Sequence, residues 1–183
     1  MDLVKISKRM SKILRHDPHP LIMDSKGWIS TTDLINHLNI TQEQLQIIVD
    51  TNDKKRFMFN DDKTLIRASQ GHSHGIAVDK EYPQITALQS SLILYHGTDD
   101  ATWNLIKNDK IIPGSRQYVH WTANKELAEK RAKQRQYHNK TKPVLITLDA
   151  KHYLNAKGKL FLSENEVYLT PEIEGKHLNI IFI

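Results

Sequence analysis

The chain has 183 residues, of which 39% are hydrophobic and 26% charged, with a net charge of +5 and no cysteine. This length is enough for one domain with a substantial core or for two small ones, and the composition excludes wholesale disorder. Without cysteine there is neither a disulfide nor a thiolate metal site. No apolar run reaches the roughly 20 residues of a membrane-spanning helix, and the N-terminus lacks the apolar core of a signal peptide. We therefore expect a soluble monomer, cytoplasmic or, in a eukaryote, nuclear.

The first part of the chain reads as helices followed by a hairpin. Apolar residues at helical spacing predict an amphipathic helix that ends before Asp17-Pro18. A short strand follows Lys26-Gly27, and two more helices are predicted to begin near residues 31 and 41. Two strands on either side of Asn60–Lys63 predict a hairpin. This order is that of a winged helix, which we expect over residues 1–80.

The second part of the chain reads mainly as strands. We place a linker within the polar residues 73–90, and a β-rich lobe over residues 90–183. Its first strand is predicted to end at His96-Gly97-Thr98, and a basic helix is predicted over roughly 124–136. The remaining strands are expected to complete one compact sheet. The predicted fold class is thus α+β, with two lobes.

Positive charge is concentrated in two places. Residues 1–16 carry five basic side chains against Asp2 alone, and residues 125–142 carry seven against Glu126 and Glu129. A clustered positive surface suits a partner that bears phosphate. A solvated helix face is the alternative for each cluster.

Three segments carry a chemical signal. They are Leu14-Arg15-His16, the segment Arg67–Ser73 with the sequence RASQGHS, and His96-Gly97-Thr98 with the later Arg116–His120. Together they resemble the NAD-dependent RNA 2′-phosphotransferase family over roughly residues 3–170. Lys54-Lys55-Arg56-Phe57 also matches the family. In the segment from Ser163 to Tyr168 the family favours S-x-N-G-V-W, and here Glu166 replaces the glycine and Tyr168 the tryptophan.

The resemblance implies both a fold and a reaction. Its members pair an N-terminal winged-helix lobe with a C-terminal lobe of the ADP-ribosyltransferase fold. Their RNA 2′-phosphate attacks the ribose of NAD and releases nicotinamide, which gives an ADP-ribosylated RNA 2′-phosphate. A second step then frees the RNA and forms ADP-ribose 1″,2″-cyclic phosphate. The resemblance therefore implies NAD as a consumed co-substrate and 2′-phosphorylated RNA as the partner, with tRNA splice junctions as a candidate.

The resemblance also implies roles for charged residues that would otherwise read as surface charges. The residues it implies for catalysis, by holding the phosphate at the cleft between the lobes, are Arg15, Lys54, Arg56 and Arg116. Arginine's planar fork suits a dianionic phosphate. The residues it implies for the RNA side are His16, Arg67, Gln70 and His72. For Gln70, a structural role at the lobe junction is the alternative.

A third set would bind NAD: by resemblance it comprises His96, Gly97, Thr98, His120, Ser163 and Val167. A strand-end histidine is otherwise more often structural, and a glycine there lets a backbone amide approach a ligand. Val167 stands where toxin-type relatives carry a catalytic glutamate. The absence of this glutamate is chemically reasonable, because a phosphate oxygen is already anionic and needs no general base.

No metal is expected. The histidine pairs His16/His19 and His72/His74 lack the spacing of a helical zinc motif. Two other functions remain open from the residues. A winged-helix DNA-binding regulator would account for residues 1–67 but leaves His96-Gly97-Thr98 without a purpose. An ADP-ribosyltransferase that modifies terminal nucleic-acid phosphates or another acceptor would use the same NAD-binding residues.

Overall fold

The computed structural model describes residues 2–52, 54–73, 76, 82–139 and 141–183, the side chains of 136–139 excepted. Helices and small sheets are mixed throughout these residues, which confirms the predicted combination of α and β structure. By its internal contacts the chain divides into two units. The first is Met1–Glu81 with Ser115–Gln117, and the second is Tyr82–Gly114 with Tyr118–Ile183. None of the described helices has the length and apolar character that crossing a membrane requires.

Among its described residues, the first unit contains three helices and a three-stranded antiparallel sheet in the order β1-β3-β2. Its elements are α1 (Leu3–Arg15), β1 (Ile29–Ser30), α2 (Thr31–Leu38), α3 (Gln42–Asp50), β2 (Phe57–Phe59) and β3 (Leu65–Ala68).

Local signals explain these elements. The Asp2 carboxylate accepts hydrogen bonds from the first turn of α1, and Thr41 and Gln44 form a complete capping box at α3. The apolar face of α1 supplies Ile6 and Met10 to a core shared with α2, α3 and the sheet. The predicted amphipathic helix, the two following helices and the hairpin are all confirmed.

The second unit contains nine strands and three α-helices among its described residues. Its elements are β4 (Gln84–Ile85), β5 (Ile93–Asp99), α4 (Asp100–Ile106), β6 (Lys110–Ile111), β7 (Val119–Trp121), α5 (Lys125–Asn139), β8 (Pro143–Asp149), α6 (Ala150–Asn155), β9 (Leu160–Leu162), β10 (Tyr168–Thr170), β11 (Ile173–Glu174), a 3₁₀ turn (Gly175–His177) and β12 (Leu178–Phe182). The linker prediction over 73–90 falls partly on residues outside the described ranges, and β4 lies within it.

The strands of the second unit do not form one sheet, contrary to the sequence-based expectation. They form a four-stranded sheet in the order β4-β9-β10-β7, a three-stranded sheet in the order β12-β8-β5 and the pair β11-β6. The two larger sheets meet where Tyr95 of β5 and Thr122 exchange backbone hydrogen bonds of 2.8 and 3.0 Å. Beyond this bridge, β5 keeps its pairing with β8, whereas β7 pairs with β10.

The predicted end of β5 at His96 is also wrong. The strand continues to Asp99, because His96, Gly97, Thr98 and Asp99 pair with residues from Ile146 back to Pro143 of β8. His96, Gly97 and Thr98 therefore lie inside a strand and not in the turn after it.

Candidate active site

The segment Arg67–Ser73 joins several of the predicted site residues of the first unit. At its C-terminal end, the backbone N–H of Ser73 donates to the carbonyl of Arg15 at 2.9 Å. Ser73 also forms an isolated β-bridge with Arg116. Its hydroxyl shares a hydrogen bond of 2.7 Å with Nδ1 of His16. Three predicted residues, Arg15, His16 and Arg116, are thus brought together around Ser73.

The N-terminal part of the same segment holds the loop that precedes β2. The backbone N–H of Ser69 donates to the carbonyl of Arg56 at 2.9 Å, and its hydroxyl donates to the carbonyl of Lys55 at 2.7 Å. Lys55 has a φ of 41°, a left-handed conformation that these bonds help to hold. One short segment therefore fixes the backbone of both cation-bearing regions, the loop with Lys54 and Arg56 and the cluster at Ser73.

Asn52 positions Arg56, a role that the sequence analysis missed. Its side-chain oxygen Oδ1 accepts one hydrogen bond from the backbone N–H of Arg56 and one from Nη1 of the same residue, both at 3.2 Å. An asparagine in front of a short loop favours side-chain hydrogen bonds to nearby residues of the chain. This preference is the sequence signal from which the contact with Arg56 could have been predicted. The guanidinium of Arg56 is half-buried and held by its neighbour four residues earlier.

The cluster at Ser73 is electropositive and partly desolvated. Arg15 is only 8% exposed, whereas Lys8 and Lys12 of the same helix are exposed. Desolvation, and then the positive charges of Arg15 and Arg116, lower the pKa of His16 below its ordinary value. His16 is therefore neutral at pH 7.

A turn at Gly114 precedes Arg116. Gly114 has a φ of 68°, which favours glycine, and the side chain of Arg116 is exposed. Partial desolvation lowers the pKa of its guanidinium, which still carries its charge at neutral pH.

The other predicted RNA-side residues lie in different surroundings. The guanidinium of Arg67 stacks over the ring of Trp28, 4.3 Å from its centroid, which is a cation–π contact. Gln70 and His72 are buried, with 8% and 1% exposure. These three side chains are packed, in contrast to the exposed Arg116.

In the second unit, His96 is held in one orientation. Its Nδ1 lies 2.9 Å from the backbone carbonyl of His120, and because a carbonyl only accepts, this nitrogen carries the proton. Its ring packs edge-on against Trp121, with centroids 5.7 Å apart. The predicted residues His96 and His120 are therefore direct neighbours.

Gly97 and Thr98 point to opposite faces of β5. A Cβ on Gly97 would lie 2.2 Å from the carbonyl oxygen of Ala128 and 2.9 Å from the amide nitrogen of Ala132. The glycine is thus required by the close packing of α5. Thr98 shares the face of His96 and is fully buried, and its hydroxyl has no hydrogen-bond partner among the described residues.

Ser163 and Val167 close the turn between β9 and β10. The amide of Ser163 donates to the carbonyl of Val167 at 2.9 Å, and the amide of Val167 donates to the Ser163 hydroxyl at 3.0 Å. Glu166 has a φ of 59°, so this departure from the family pattern places an L-residue in a conformation that favours glycine. Because Tyr168 pairs with Trp121, the turn adjoins the end of β7 that is bridged to β5.

Within the described ranges, no three His, Asp or Glu side chains are grouped so as to hold a metal ion. His74 of the pair His72/His74 lies outside those ranges. Activity without a metal remains a prediction.

A family model described as "RNA 2'-phosphotransferase, Tpt1 / KptA family" matches residues 1–172 of the chain. The chain belongs to the RNA 2′-phosphotransferase family. This confirms the resemblance drawn from the RASQGHS segment and its companions, and it identifies the protein as a member of a family of transferases.

Relatives of this chain match it along nearly its whole length. A protein of Fusobacterium nucleatum named "Probable RNA 2'-phosphotransferase" is 38% identical over 182 residues, which cover 96% of this chain and 97% of the relative. A protein of the same name from Flavobacterium johnsoniae is 37% identical over 180 residues, covering 94% and 93%. A third, from Rhodopirellula baltica, is 37% identical over 184 residues, covering 96% and 95%.

Proposed function

We propose that this protein removes an internal RNA 2′-phosphate by transferring it to NAD. The products are RNA with a 2′-hydroxyl, nicotinamide and ADP-ribose 1″,2″-cyclic phosphate, and tRNA splice junctions are a candidate substrate. The observation that carries the proposal is the anchoring of Arg15, Arg56 and Arg116 by one segment, Arg67–Ser73. Family membership supports the phosphate-transfer reaction.

The first unit would be a winged-helix lobe that holds the RNA. Three helices followed by a hairpin, with β1 added to the hairpin, support this assignment. The second unit would be a lobe of the ADP-ribosyltransferase fold. Its two sheets, joined at the bridge between Tyr95 and Thr122, and the histidines beside that bridge support the second assignment.

In this proposal the RNA 2′-phosphate is held by Arg15, Lys54, Arg56 and Arg116. A phosphate monoester is doubly charged near neutral pH, and guanidinium groups can donate two parallel hydrogen bonds to it. Cations held in place before the reaction also stabilise the charge that accumulates on the phosphate in the transition state. The attacking oxygen is already anionic, so a neutral His16 fits a role in binding and not as a base.

NAD would bind in the second unit through His96, Gly97, Thr98, His120, Ser163 and Val167. The buried hydroxyl of Thr98 fits this role, because a ribose hydroxyl or an amide of the dinucleotide would give it a hydrogen-bond partner. The fixed proton on Nδ1 of His96 holds its ring in one orientation on the same strand face. When bound, NAD supplies the ribose carbon that receives the phosphate, with nicotinamide as the leaving group.

The direct test is a balance of products. The protein is incubated with NAD and an oligonucleotide that carries one internal 2′-phosphate. Nicotinamide is measured by chromatography and the dephosphorylated RNA by gel electrophoresis. We expect both in equal amounts, with no reaction when NAD is omitted and full activity after treatment with a chelator. Dephosphorylation without NAD, or nicotinamide release with the 2′-phosphate left in place, would show that the proposed reaction is wrong.

A further inference from the structure

A groove of about 460 Å³ runs along α1 in the first unit. This volume lies within the roughly 300–1,000 Å³ that is typical of ligand sites. One wall is a single face of α1, made of residues one turn apart: Val4, Ser7, Lys8 and Ser11. The apolar face of α1 that enters the core points elsewhere, so these side chains are available to line a surface site.

The opposite wall is the chain that leads from the end of α3 to β2. Thr51, Asn52, Lys54 and Arg56 line it. Lys54 and Arg56 are two of the four cations proposed to hold the 2′-phosphate. A ligand in the groove is therefore next to the phosphate that these residues bind.

The chemistry of the lining favours a nucleic-acid backbone. It contains three cations, Lys8, Lys54 and Arg56, and the hydroxyls of Ser7 and Ser11. Among the lining residues that the structure describes, there is neither a carboxylate nor an aromatic ring. Cations attract phosphates and hydroxyls bond to ribose or phosphate oxygens, whereas stacking on bases requires aromatic platforms. The groove thus suits a sugar-phosphate chain of any base sequence.

We propose that this groove binds the nucleotide next to the 2′-phosphorylated one, so that single-stranded RNA runs along α1 with a phosphodiester near Lys8. The inference rests on the proposed function, because Lys54 and Arg56 fix the end of the groove at which the 2′-phosphate lies. RNA extended on one side of the 2′-phosphate then binds more tightly than a 2′-phosphorylated mononucleotide, whatever its bases are.

The test uses Lys8→Ala and Lys8→Glu, with Arg9→Ala as the matched control. Arg9 is exposed on the same helix but does not line the groove. Affinity is measured without NAD by fluorescence anisotropy, for a 2′-phosphorylated mononucleotide and for oligonucleotides extended from it on the 5′ or the 3′ side. Thermal unfolding confirms that each variant is folded.

For RNA extended on the favoured side, Lys8→Ala weakens binding about fivefold, the effect of losing an exposed ion pair. The slope of log affinity against log salt becomes shallower by about 0.7, as for one lost phosphate contact on a single strand. Lys8→Glu weakens binding further. The mononucleotide binds all three variants like the wild type, and Arg9→Ala leaves the affinity for extended RNA within about twofold.

The failure of this inference is distinct from the failure of the proposed function. If the wild type converts no 2′-phosphorylated RNA with NAD, the proposed function is wrong, while the anisotropy series still decides the groove. The groove proposal is overturned if extension on either side leaves the affinity unchanged. It is equally overturned if Lys8→Glu weakens mononucleotide and extended RNA alike, or if Arg9→Ala has as large an effect as Lys8→Ala.

Discussion

The two units place their proposed binding residues in different kinds of structure. In the first unit the residues lie at the ends of elements and in loops: Arg15 is the last residue of α1, Arg56 precedes β2, and Arg116 follows a turn. In the second unit His96 and Thr98 lie inside β5, where pairing with β8 fixes their direction. Long cationic side chains reach a phosphate from a loop, because Coulomb attraction depends weakly on direction. The hydrogen bonds of a dinucleotide require fixed directions, which strands provide.

The two units also differ in how their proposed binding residues are held in place. In the first unit, side chains such as Asn52 and Ser69 bond to the backbone of the cation-bearing loop. In the second unit, close packing holds the residues in place, because Gly97 packs against α5 and His96 packs against Trp121. Removing one of these side chains in the first unit should therefore weaken the binding and turnover of RNA and leave NAD binding unchanged. Changing the size of a packed side chain in the second unit should lower the stability of the fold.

The largest expected effect is on RNA turnover. Arg56→Ala should lower kcat/KM for 2′-phosphorylated RNA about a hundredfold or more, because a charge-assisted phosphate contact is worth roughly 1.5–3 kcal/mol and gains weight in the transition state. Steady-state kinetics at saturating NAD measure this loss. Lys26→Ala, which removes an exposed cation of the same unit, is the control and should change little. Equal activity of the Arg56 variant and the wild type would show that this loop has no part in the reaction.

The second effect is on stability. Gly97→Ala would bring a Cβ within 2.2 Å of the Ala128 carbonyl oxygen, and overpacking of this kind costs about 1–3 kcal/mol. Urea unfolding should show the loss. The control is Gly114→Ala, where φ is 68° and no atom lies within 4 Å of the new Cβ. Its cost should be about 1 kcal/mol, from backbone conformation alone. If the two losses are equal, the packing of α5 is not the reason for Gly97.

Asn52→Ala should have a smaller effect, again confined to RNA. Loss of the bond to Nη1 of Arg56 should raise KM for RNA about tenfold, roughly 1.4 kcal/mol, with KM for NAD unchanged. A double variant tests whether Asn52 acts through Arg56. Asn52→Ala combined with Arg56→Ala should lose no more than Arg56→Ala alone. Additive losses would mean that Asn52 contributes independently. Asn36→Ala, at an exposed asparagine of α2, is the matched control.

The smallest effect is a gain in stability. Glu166→Gly should raise the free energy of unfolding by about 0.5 kcal/mol, because a left-handed φ costs an L-residue roughly 1–2 kcal/mol and glycine returns part of that as chain entropy. Glu164→Gly, in the same turn, is expected to lower stability, since Glu164 is not among the described residues with a positive φ. A loss in both variants would show that the conformation of Glu166 is not strained.

Local signals in the sequence were sufficient for much of the fold. Thr41 and Gln44 predicted a helix start, and Asn60–Lys63 predicted a hairpin, because caps and turns are decided by neighbours in the chain. The continuation of β5 through Asp99 depends on Pro143–Ile146 of β8, more than 40 residues away. A histidine-glycine pair looks like a turn when that partner is unknown. The two- and three-residue strands β4, β6, β9 and β11 are too short to show a pattern.

The candidate site, like β5, depends on contacts between residues that are far apart in the chain. The motif Arg67–Ser73 pointed to candidate residues, but it did not predict that Ser73 bonds to Arg15 and pairs with Arg116. Such contacts join residues more than 40 positions apart and leave no periodic trace. The burial of Arg15 and the support of Arg56 by Asn52 likewise emerge only from the folded chain.

The division of labour between the units is tested most directly by titrating NAD into two variants. Isothermal titration calorimetry of Arg56→Ala and His96→Ala, both confirmed as folded, compares their affinities for NAD with that of the wild type. We expect Arg56→Ala to bind NAD like the wild type, and His96→Ala to bind it at least about tenfold more weakly, as for loss of one directed contact in a binding site. Equal loss of NAD affinity in the two variants, or wild-type affinity in His96→Ala, would contradict the assignment of phosphate to the first unit and NAD to the second.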